Sequence, residues 1–173
     1  AFKNSIGRSK KEKELRKERH KIPVTNIKNL PTKRKDSIIW LGHCSFLITI
    51  GGKRILTDPN LSSYFFLRRK NKIPCSKRML KNIDYLCISH SHRDHLDKST
   101  IKKIEGSKNS IALLPWGVGR YISKWNKSFA LQEASWWQQY KTKDIEITFL
   151  PAKHWSNRFL FDHNKTLWGS FLF

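Results

Sequence analysis

The pattern of apolar and polar positions divides the chain near residue 37. Within residues 10–21 the only apolar side chain is Leu15, so a helix in that stretch would have no apolar face to bury. From residue 38 onward, short apolar runs alternate with turn signals, which is typical of a folded domain. The sequence therefore predicts one domain over residues 38–173 and a basic N-terminal arm over residues 1–37. That arm is either a mobile or helical segment or a solvated tail without a partner.

The first apolar runs of the domain predict a group of strands. Residues 38–41, 46–50 and 55–56 are apolar, and the Gly-Gly pair between the second and third runs is a hairpin signal. Residues 83–88 are almost continuously apolar, which is typical of a strand buried on both faces in a sheet covered by helices.

Helical spacing of apolar residues follows over 96–104, with Asp97 or Ser99 available as the N-cap and Gly106 as the stop. The remaining pattern predicts a helix at 118–125 and strands at 111–114, 129–131, 145–150 and 167–173. This order of strands and helices predicts a fold of the mixed α/β (α+β) class.

Composition narrows the choice of partners and of compartment. The 35 Lys and Arg residues against 13 Asp and Glu give a net charge of +22, which favours phosphates, nucleic acid or an acidic membrane surface. No apolar run approaches the roughly 18 residues that span a bilayer, and no signal-peptide segment follows the basic N-terminus, so we expect a cytoplasmic protein. The chain begins with Ala1 and ends in an apolar run, so we expect both ends to be cut ends.

The cysteine pattern gives no sign of a disulfide framework. The chain has 3 cysteines, an odd number, and they are widely separated without a metal-finger spacing. We therefore expect reduced thiols.

A short segment after the buried strand carries metal-binding chemistry. His90, His92, Asp94 and His95 lie close together on an irregular loop, and imidazole and carboxylate are ligands that zinc and similar ions accept. His90 and His92 can face one ion, and Asp94 and His95 can face a second. The alternative is a histidine-rich surface loop.

A catalytic zinc ion commonly has three protein ligands and a water, so the first ion needs a third ligand. His154 follows a predicted strand in the same way and is the candidate. Taken alone, a histidine beside Trp155 is more often a packing residue.

These motifs resemble those of a known superfamily. The pattern His90-x-His92-x-Asp94-His95 is similar to the signature of the metallo-β-lactamase fold, an αββα sandwich of metal-dependent hydrolases. Further segments, in order from residue 38 to the end, resemble its N-acyl-phosphatidylethanolamine phospholipase D branch: Trp40-Leu41-Gly42-His43, Leu56-Thr57-Asp58-Pro59, Ile83-Asp84-Tyr85, Ile88-Ser89-His90, His95-Leu96-Asp97, Trp136-Trp137, Pro151-Ala152-Lys153-His154-Trp155 and Leu167-Trp168-Gly169-Ser170.

The resemblance implies a role for each matching metal ligand. His90, His92 and His154 match the ligands of a first Zn²⁺. Asp94 and His95 match two ligands of a second Zn²⁺, and the residue matching Asp94 also positions the bridging hydroxide, which gives Asp94 the catalytic role.

Two further residues have supporting roles by the same resemblance. Asp58 matches a carboxylate that supports the ligand loop from beneath, although a residue before Pro59 can equally be a turn former. His43 is a candidate to support a metal ligand or to face the substrate, against the alternative of a structural histidine.

The chain also departs from the family pattern. Family members continue into a Gly-Asp-Thr-Gly type segment, whose Asp bridges both metals, and later to a final His on the second metal. This sequence ends before either, so we expect an incomplete sandwich, the N-terminal half of an enzyme. The second ion should lack two ligands and bind weakly unless another chain completes its site.

The implied reaction is hydrolysis of a phosphodiester in an N-acyl-phosphatidylethanolamine-like phospholipid. The same metal signature also serves nucleases of the superfamily, and the positive charge would suit a nucleic acid. A third alternative is a non-catalytic remnant that binds an anionic membrane or nucleic acid.

Basic and aromatic residues supply candidate substrate contacts. Arg68, Arg69 and Lys70 begin a basic segment that extends to Lys81 and could contact anionic lipid headgroups at a membrane surface, or be an ordinary solvated charge run. Ser156 and Arg158 could approach a substrate phosphate. For the remaining aromatic candidates we expect core positions rather than an acyl-chain groove; these are Trp116, Trp136, Trp137 and Trp155.

Overall fold

A computed structural model of the chain describes residues 23–63, 69, 72–143 and 145–173. Arg68 and Lys70 lie outside these residues. The described part contains eight strands and two α-helices, with a short 3₁₀ helix at Lys77–Met79. Their bounds are β1 (Ser37–Gly42), β2 (Ser45–Ile50), β3 (Lys53–Thr57), β4 (Ile83–Cys87), α1 (Lys98–Ile101), β5 (Gly106–Pro115), α2 (Gly119–Trp125), β6 (Ala130–Ala134), β7 (Thr148–Leu150) and β8 (Ser170–Leu172).

Six of the strands form one sheet in the order β1-β2-β3-β4-β5-β6. The first three strands are antiparallel, whereas β3 to β6 are parallel to one another. Gly51 and Gly52 join β2 to β3 with φ angles of 55° and 76°, a left-handed conformation that glycine adopts without steric cost. The predicted Gly-Gly hairpin is therefore confirmed.

Both faces of the large sheet are buried. Along β4, Leu86 belongs to a core shared with α1 and α2, while Tyr85 and Cys87 belong to a second core shared with β7 and β8. This alternation follows from the two-residue period of a strand, and it confirms the prediction of a strand buried on both faces. The described residues thus form three layers, which are helices, the six-stranded sheet and the two-stranded sheet, and the predicted mixed α/β class is confirmed.

The first helix is shorter than predicted. The Asp97 carboxylate accepts a hydrogen bond from the Ser99 N–H at 3.0 Å, as expected of an N-cap, but the helix ends at Ile101. Gly106 does not stop the helix, because it begins β5 and pairs with β4. A β-carbon at Gly106 would lie 2.8 Å from the carbonyl oxygen of Ser128, so this strand position requires glycine for the close approach.

Residues 23–36, the described part of the predicted basic arm, contact the domain. Ile27 and Leu30 pack against the core beneath the helices, and the Ile27 N–H donates a hydrogen bond to the carbonyl of Pro74 at 2.7 Å. The Lys33 ammonium lies 2.5 Å from the Asp84 carboxylate at the start of β4. These contacts hold the segment on the surface of the large sheet.

Candidate metal centre

The strand topology brings three loops to one edge of the large sheet. Because β3 and β4 are parallel, Asp58, which follows β3, and the motif loop, residues 89–95 after β4, emerge at the same edge. The turn between β1 and β2 lies there too, because β2 is antiparallel to β3 and Phe46 at its start is paired with Thr57 at the end of β3. Residues distant in sequence therefore meet at this edge.

Three imidazoles converge at the edge, and we call His90, His92 and His154 the histidine trio. The His90 Nε2 atom lies 2.8 Å from the Nδ1 atom of His92, and the His154 Nε2 atom lies 3.1 Å and 3.3 Å from those two nitrogens. Tetrahedral zinc with bonds of about 2.0–2.1 Å holds its nitrogen ligands about 3.3 Å apart. The donor set and its spacing fit a divalent ion of this kind.

The protonation of His90 and His92 also suits a cation. Burial, together with the neighbouring imidazoles, lowers the pKa of His90 to about 2, so this ring is neutral at physiological pH. Burial and the nearby His154 also lower the pKa of His92. The Nε2 atom of His92 is buried without a hydrogen-bond partner among the described residues, while its Nδ1 atom faces the other two rings. Neutral rings present the lone pairs that a metal ion needs.

Asp58 supports the motif loop through both carboxylate oxygens. Its Oδ1 atom accepts a hydrogen bond from the Ser89 N–H at 2.7 Å, and its Oδ2 atom accepts one from the Ser89 hydroxyl at 2.5 Å. The Nδ1 atom of His95 lies 2.8 Å from the same Oδ2 atom. The Ser89 hydroxyl is also 2.8 Å from Nδ1 of His90, so one buried carboxylate orients two imidazoles of the loop. Asp58 has a φ of 38°, so it also turns the backbone before Pro59.

A second group of donors lies beside the trio. We call His43, Cys44, Asp94 and His95 the hairpin cluster, because the first two belong to the β1–β2 turn. The His43 Nε2 atom is 3.2 Å from the Asp94 Oδ2 atom, and the His95 Nε2 atom is 3.9 Å from it. One donor atom each of His43, Cys44 and His95 lie within 4.8 Å of one another. The ring centroids of His90 and His95 are 4.1 Å apart, so the two groups adjoin.

The electrostatics of the hairpin cluster differ from those of the trio. Burial acts to lower the pKa of His95, but the hydrogen bond to Asp58 and the charges of Asp58 and Asp94 raise it overall. Burial and the same two carboxylates raise the pKa of the Cys44 thiol. A thiol with a raised pKa is a poor nucleophile, so these contacts do not activate Cys44 for covalent catalysis.

Cys44 is the residue of this edge that sequence reasoning did not single out. The signal lay in the predicted hairpin, because a turn that precedes a strand antiparallel to β3 must lie near Asp58. His43 was named as a candidate, and the side chain of the adjacent Cys44 lies close to His43 and His95.

Two predicted substrate contacts require correction. Ser156 and Arg158 are buried, and both donate hydrogen bonds within the chain. The Ser156 hydroxyl donates to the Thr166 carbonyl at 2.5 Å. The Arg158 guanidinium donates to the carbonyls of Ser91 and Leu96, because the chain turns back under the motif loop after His154. Arg158 therefore holds the motif loop in place through these two carbonyls.

Arg69 also differs from its predicted role. Its guanidinium donates hydrogen bonds to the Asn60 carbonyl at 2.6 Å and to the Leu41 carbonyl at 2.8 Å. The predicted contact with a lipid headgroup is therefore corrected, since these donors tie the end of β1 to the loop after β3.

The predicted burial of the tryptophans is wrong. Trp116, Trp137 and Trp155 are 62%, 72% and 45% exposed, and Trp136 is 37% exposed. All four lie in turns or loops outside the strands, where the rings are not covered by a second layer of the described chain. The Trp155 ring contacts the His92 ring edge-on, with 4.3 Å between centroids, so it lines the histidine trio.

Beyond the trio the surface is apolar and basic. Phe159, Leu160 and Phe161 are 54%, 90% and 86% exposed in the loop after His154. The Arg93 guanidinium lies 5.3 Å from the centre of the Phe159 ring. In the described part of the chain, no helix has the combination of length and hydrophobicity that crossing a bilayer requires.

Comparisons with known proteins agree with this architecture. The family described as the beta-lactamase superfamily domain matches residues 53–173. A mitochondrial N-acyl-phosphatidylethanolamine-hydrolyzing phospholipase D of Saccharomyces cerevisiae is 33% identical over 160 residues, which are 87% of this chain and 34% of that protein. A UPF0173 metal-dependent hydrolase of Pyrococcus furiosus is 31% identical over 122 residues, which are 69% of this chain and 49% of that protein.

A solved structure shows the same fold. The isothiocyanate hydrolase from Delia radicum gut bacteria superposes with a TM-score of 0.54 at 18% identity, covering 69% of this chain and 49% of that one. The chain spans less than half of the length of each of these three proteins. The family match extends over most of the sequence, from β3 to the last residue, and includes the motif loop and His154. The chain belongs to the beta-lactamase superfamily.

Proposed function

We propose that the chain provides the metal-binding edge of a metal-dependent hydrolase that cleaves a phosphodiester in an N-acyl-phosphatidylethanolamine-like phospholipid. The observation that carries the proposal is the spacing of the histidine trio, whose three nitrogens lie 2.8–3.3 Å apart. The yeast relative is named for hydrolysis of such a lipid, and the Pyrococcus relative is named as a metal-dependent hydrolase. Both names support the proposal.

The trio would hold a divalent ion, with zinc as the proposed identity. When bound, such an ion polarises a phosphoryl oxygen and lowers the pKa of water, so that a nucleophile is available near neutral pH. The chain's own residues hold and orient the reactants. Asp94, whose carboxylate is partly exposed beside the trio, can accept a hydrogen bond from the attacking water and align it. Asp58 keeps the rings of His90 and His95 in place.

A lipid substrate is supported by the surface beside the trio. The exposed Phe159, Leu160 and Phe161 present apolar side chains, and a groove near them is lined by basic residues that include Arg93 and Lys102. Aromatic and aliphatic side chains next to basic ones suit an anionic membrane surface, where each Lys or Arg contributes about 1 kcal/mol. We therefore assign the proposed peripheral membrane contact to residues 159–161.

The reaction is tested with the full chain loaded with zinc. N-acyl-phosphatidylethanolamine vesicles, a generic phosphodiester and a short RNA are offered separately, and product release is measured. We expect cleavage of the lipid that is lost on chelation and in His154→Ala, but kept in His163→Ala, which removes an exposed histidine outside the trio. Preferred cleavage of RNA would establish a nuclease instead. No turnover at full metal loading would favour a non-catalytic binding protein.

The membrane contact is tested by co-sedimentation with vesicles that contain phosphatidylglycerol. The double variant Leu160→Ser, Phe161→Ser should pellet less than the unaltered chain at low and high salt. The control is Ile38→Ser, because Ile38 is 71% exposed on β1. Equal pelleting of the double variant and the control would rule out docking through residues 159–161, whatever the result with the substrates.

A further inference from the structure

A cleft of about 520 Å³ lies at the edge of the large sheet opposite the histidine trio. Its lining includes Lys53 at the start of β3 and Asp84 near the start of β4, whereas Asp58 and the motif loop follow the other ends of these parallel strands. The strand β3 has 5 residues, so at about 3.3 Å per residue the cleft is about 15 Å from the metal-binding edge. Pockets that bind small molecules usually have volumes of about 300–1,000 Å³. The cleft is therefore large enough for a ligand and separate from the site of the proposed function.

One wall of the cleft is formed by a bulge in β5. Ile83 of β4 pairs with Gly106 of β5. Tyr85, two residues further along β4, pairs with Ile111, five residues further along β5. The surplus residues include 107–109, which line the cleft. Bulges of this kind are common beside functional sites, because they redirect side chains.

Hydrogen bonds hold the backbone segments that line the cleft. The Ser107 hydroxyl donates to the Asp84 carboxylate at 2.8 Å, which ties the bulge to β4. In a second part of the wall, the Lys141 N–H donates to the side-chain oxygen of Gln132 at 2.9 Å. The Lys141 carbonyl accepts a hydrogen bond from the side-chain amide of the same Gln132 at 2.8 Å. The main chain is therefore fixed on both of these walls.

The charge of the cleft is strongly positive. Among the described residues its lining has four lysines against one acid, and these are Lys53, Lys108, Lys141, Lys143 and Asp84. The Asp84 carboxylate already pairs with the Lys33 ammonium at 2.5 Å, so it offsets little of the charge of the cleft. Three of the lysines are exposed and form no ion pair with another described residue; these are Lys108, Lys141 and Lys143. A concave surface with charges of one sign raises the local concentration of ligands of the opposite sign.

We propose that this cleft binds an anion that carries more than one phosphate group. A lysine ammonium group binds phosphate as a point charge with three N–H donors, so four lysines can balance several negative charges. The phosphates belong either to a water-soluble molecule or to a lipid headgroup, and vesicle binding distinguishes the two. The site depends on neither the metal nor the substrate of the proposed function.

Calorimetric titration of the full chain with inorganic pyrophosphate tests the site. We expect saturable binding that weakens by at least about tenfold in the double variant Lys108→Gln, Lys141→Gln, because each substitution removes charge-assisted hydrogen bonds to phosphate. The matched control is Lys124→Gln, Lys165→Gln, which removes the same charge from exposed positions outside the cleft. The control should bind pyrophosphate almost as well as the unaltered chain.

A metal ion at the histidine trio would also attract pyrophosphate, so the titration is repeated with His92→Ala. This variant should keep the binding, because the cleft lies at the opposite edge. Loss of binding in His92→Ala, with none in the Lys108 and Lys141 double variant, would place the anion at the trio. An equal loss in the two double variants would show unspecific attraction by the net charge. Either result, or no binding by the unaltered chain, would overturn the proposal.

The source of the phosphates is tested by co-sedimentation with two kinds of vesicle of equal total charge. One contains phosphatidylinositol bisphosphate and the other phosphatidylglycerol. Stronger pelleting with the bisphosphate that is lost in Lys108→Gln, Lys141→Gln would support a lipid headgroup. Equal pelleting with both kinds, together with pyrophosphate binding, would support a water-soluble anion. We expect the second result, because Phe159 contacts Arg93 of the motif loop, so that a membrane bound at residues 159–161 lies at the edge opposite the cleft.

Discussion

The histidine trio and the hairpin cluster lie side by side but are organised differently. The trio's nitrogens are 2.8–3.3 Å apart, and they come from loops that follow two strands. The carboxylate-to-imidazole distances of the hairpin cluster are 3.2 Å and 3.9 Å, and His43 and Cys44 are exposed. A ligand set that already has the spacing of the bound state loses little freedom on binding. The comparison shows that strand ends hold the trio at the spacing of metal ligands, whereas the donors of the hairpin cluster are further apart.

The largest effect is expected from His92→Ala. It removes one of the trio's three nitrogens, so zinc affinity at the trio should fall by more than about 100-fold. Removal of a residue that only supports a ligand usually lowers metal affinity by about 10- to 100-fold. Competition with a chromophoric chelator measures the affinity.

The matched control for this variant is His163→Ala. The His163 ring stacks on Trp155 with 5.3 Å between centroids and is exposed. Its removal should leave the affinity within a few-fold of the unaltered chain. An equal loss in both histidine variants would show that the trio is not the binding site.

The next effect is expected from Asp58→Asn. The amide keeps the size of the side chain but loses an oxygen acceptor, so the contacts to Ser89 and His95 cannot all be kept. We expect zinc affinity to fall by about 10- to 100-fold. Competition with a chromophoric chelator measures the affinity.

Much of this edge could be predicted from the sequence because metal ligation leaves a local pattern. His90, His92, Asp94 and His95 stand together after a buried strand, and His154 follows another predicted strand. The resemblance then supplied the role of Asp58. The layered fold was also predictable, since strands buried on both faces have a distinctive apolar run.

The errors of prediction have a common physical cause, because each depends on the path of a loop in three dimensions. Arg158 was assigned to a phosphate because its charge suits one, but the chain folds back and its guanidinium caps carbonyls of the motif loop. Trp137 was assigned to the core because tryptophan usually packs, yet its turn leaves it 72% exposed. Cys44 was overlooked because only the register of β2 on β3 brings it beside His95. Side-chain type alone does not contain this information.

A smaller effect, on stability alone, is expected at the opposite edge of the sheet. Asp84 accepts hydrogen bonds from the Lys33 ammonium, the Arg54 N–H and the Ser107 hydroxyl. Burial acts to raise the pKa of Asp84, but these bonds hold it below its usual range. Asp84→Asn should lower the free energy of unfolding by about 1.5 kcal/mol at pH 7, and it should leave zinc affinity unchanged.

The pH dependence of that variant follows from the lowered pKa. A carboxyl group whose folded pKa is depressed stabilises the protein above its unfolded pKa of about 3.9 and loses this contribution as pH falls through the folded value. The difference between the unaltered chain and Asp84→Asn should therefore shrink in acid. Urea unfolding at several pH values measures it. A difference that grows in acid would contradict the assignment.

The smallest effect is expected from Trp155→Ala, which removes a ring that contacts one imidazole of the trio. The Trp155 ring contacts His92 edge-on, with 4.3 Å between centroids, but it is 45% exposed. Aromatic pairs contribute about 0.5–1.5 kcal/mol, and because this ring is partly exposed we expect about 0.5 kcal/mol. Zinc affinity at the trio should fall by about twofold, as measured by competition with a chromophoric chelator. The control is Trp116→Ala, because Trp116 is 62% exposed and belongs to neither donor group. A loss as large as that of His92→Ala would mean that the strand ends do not hold the trio, and that its spacing depends on this one ring.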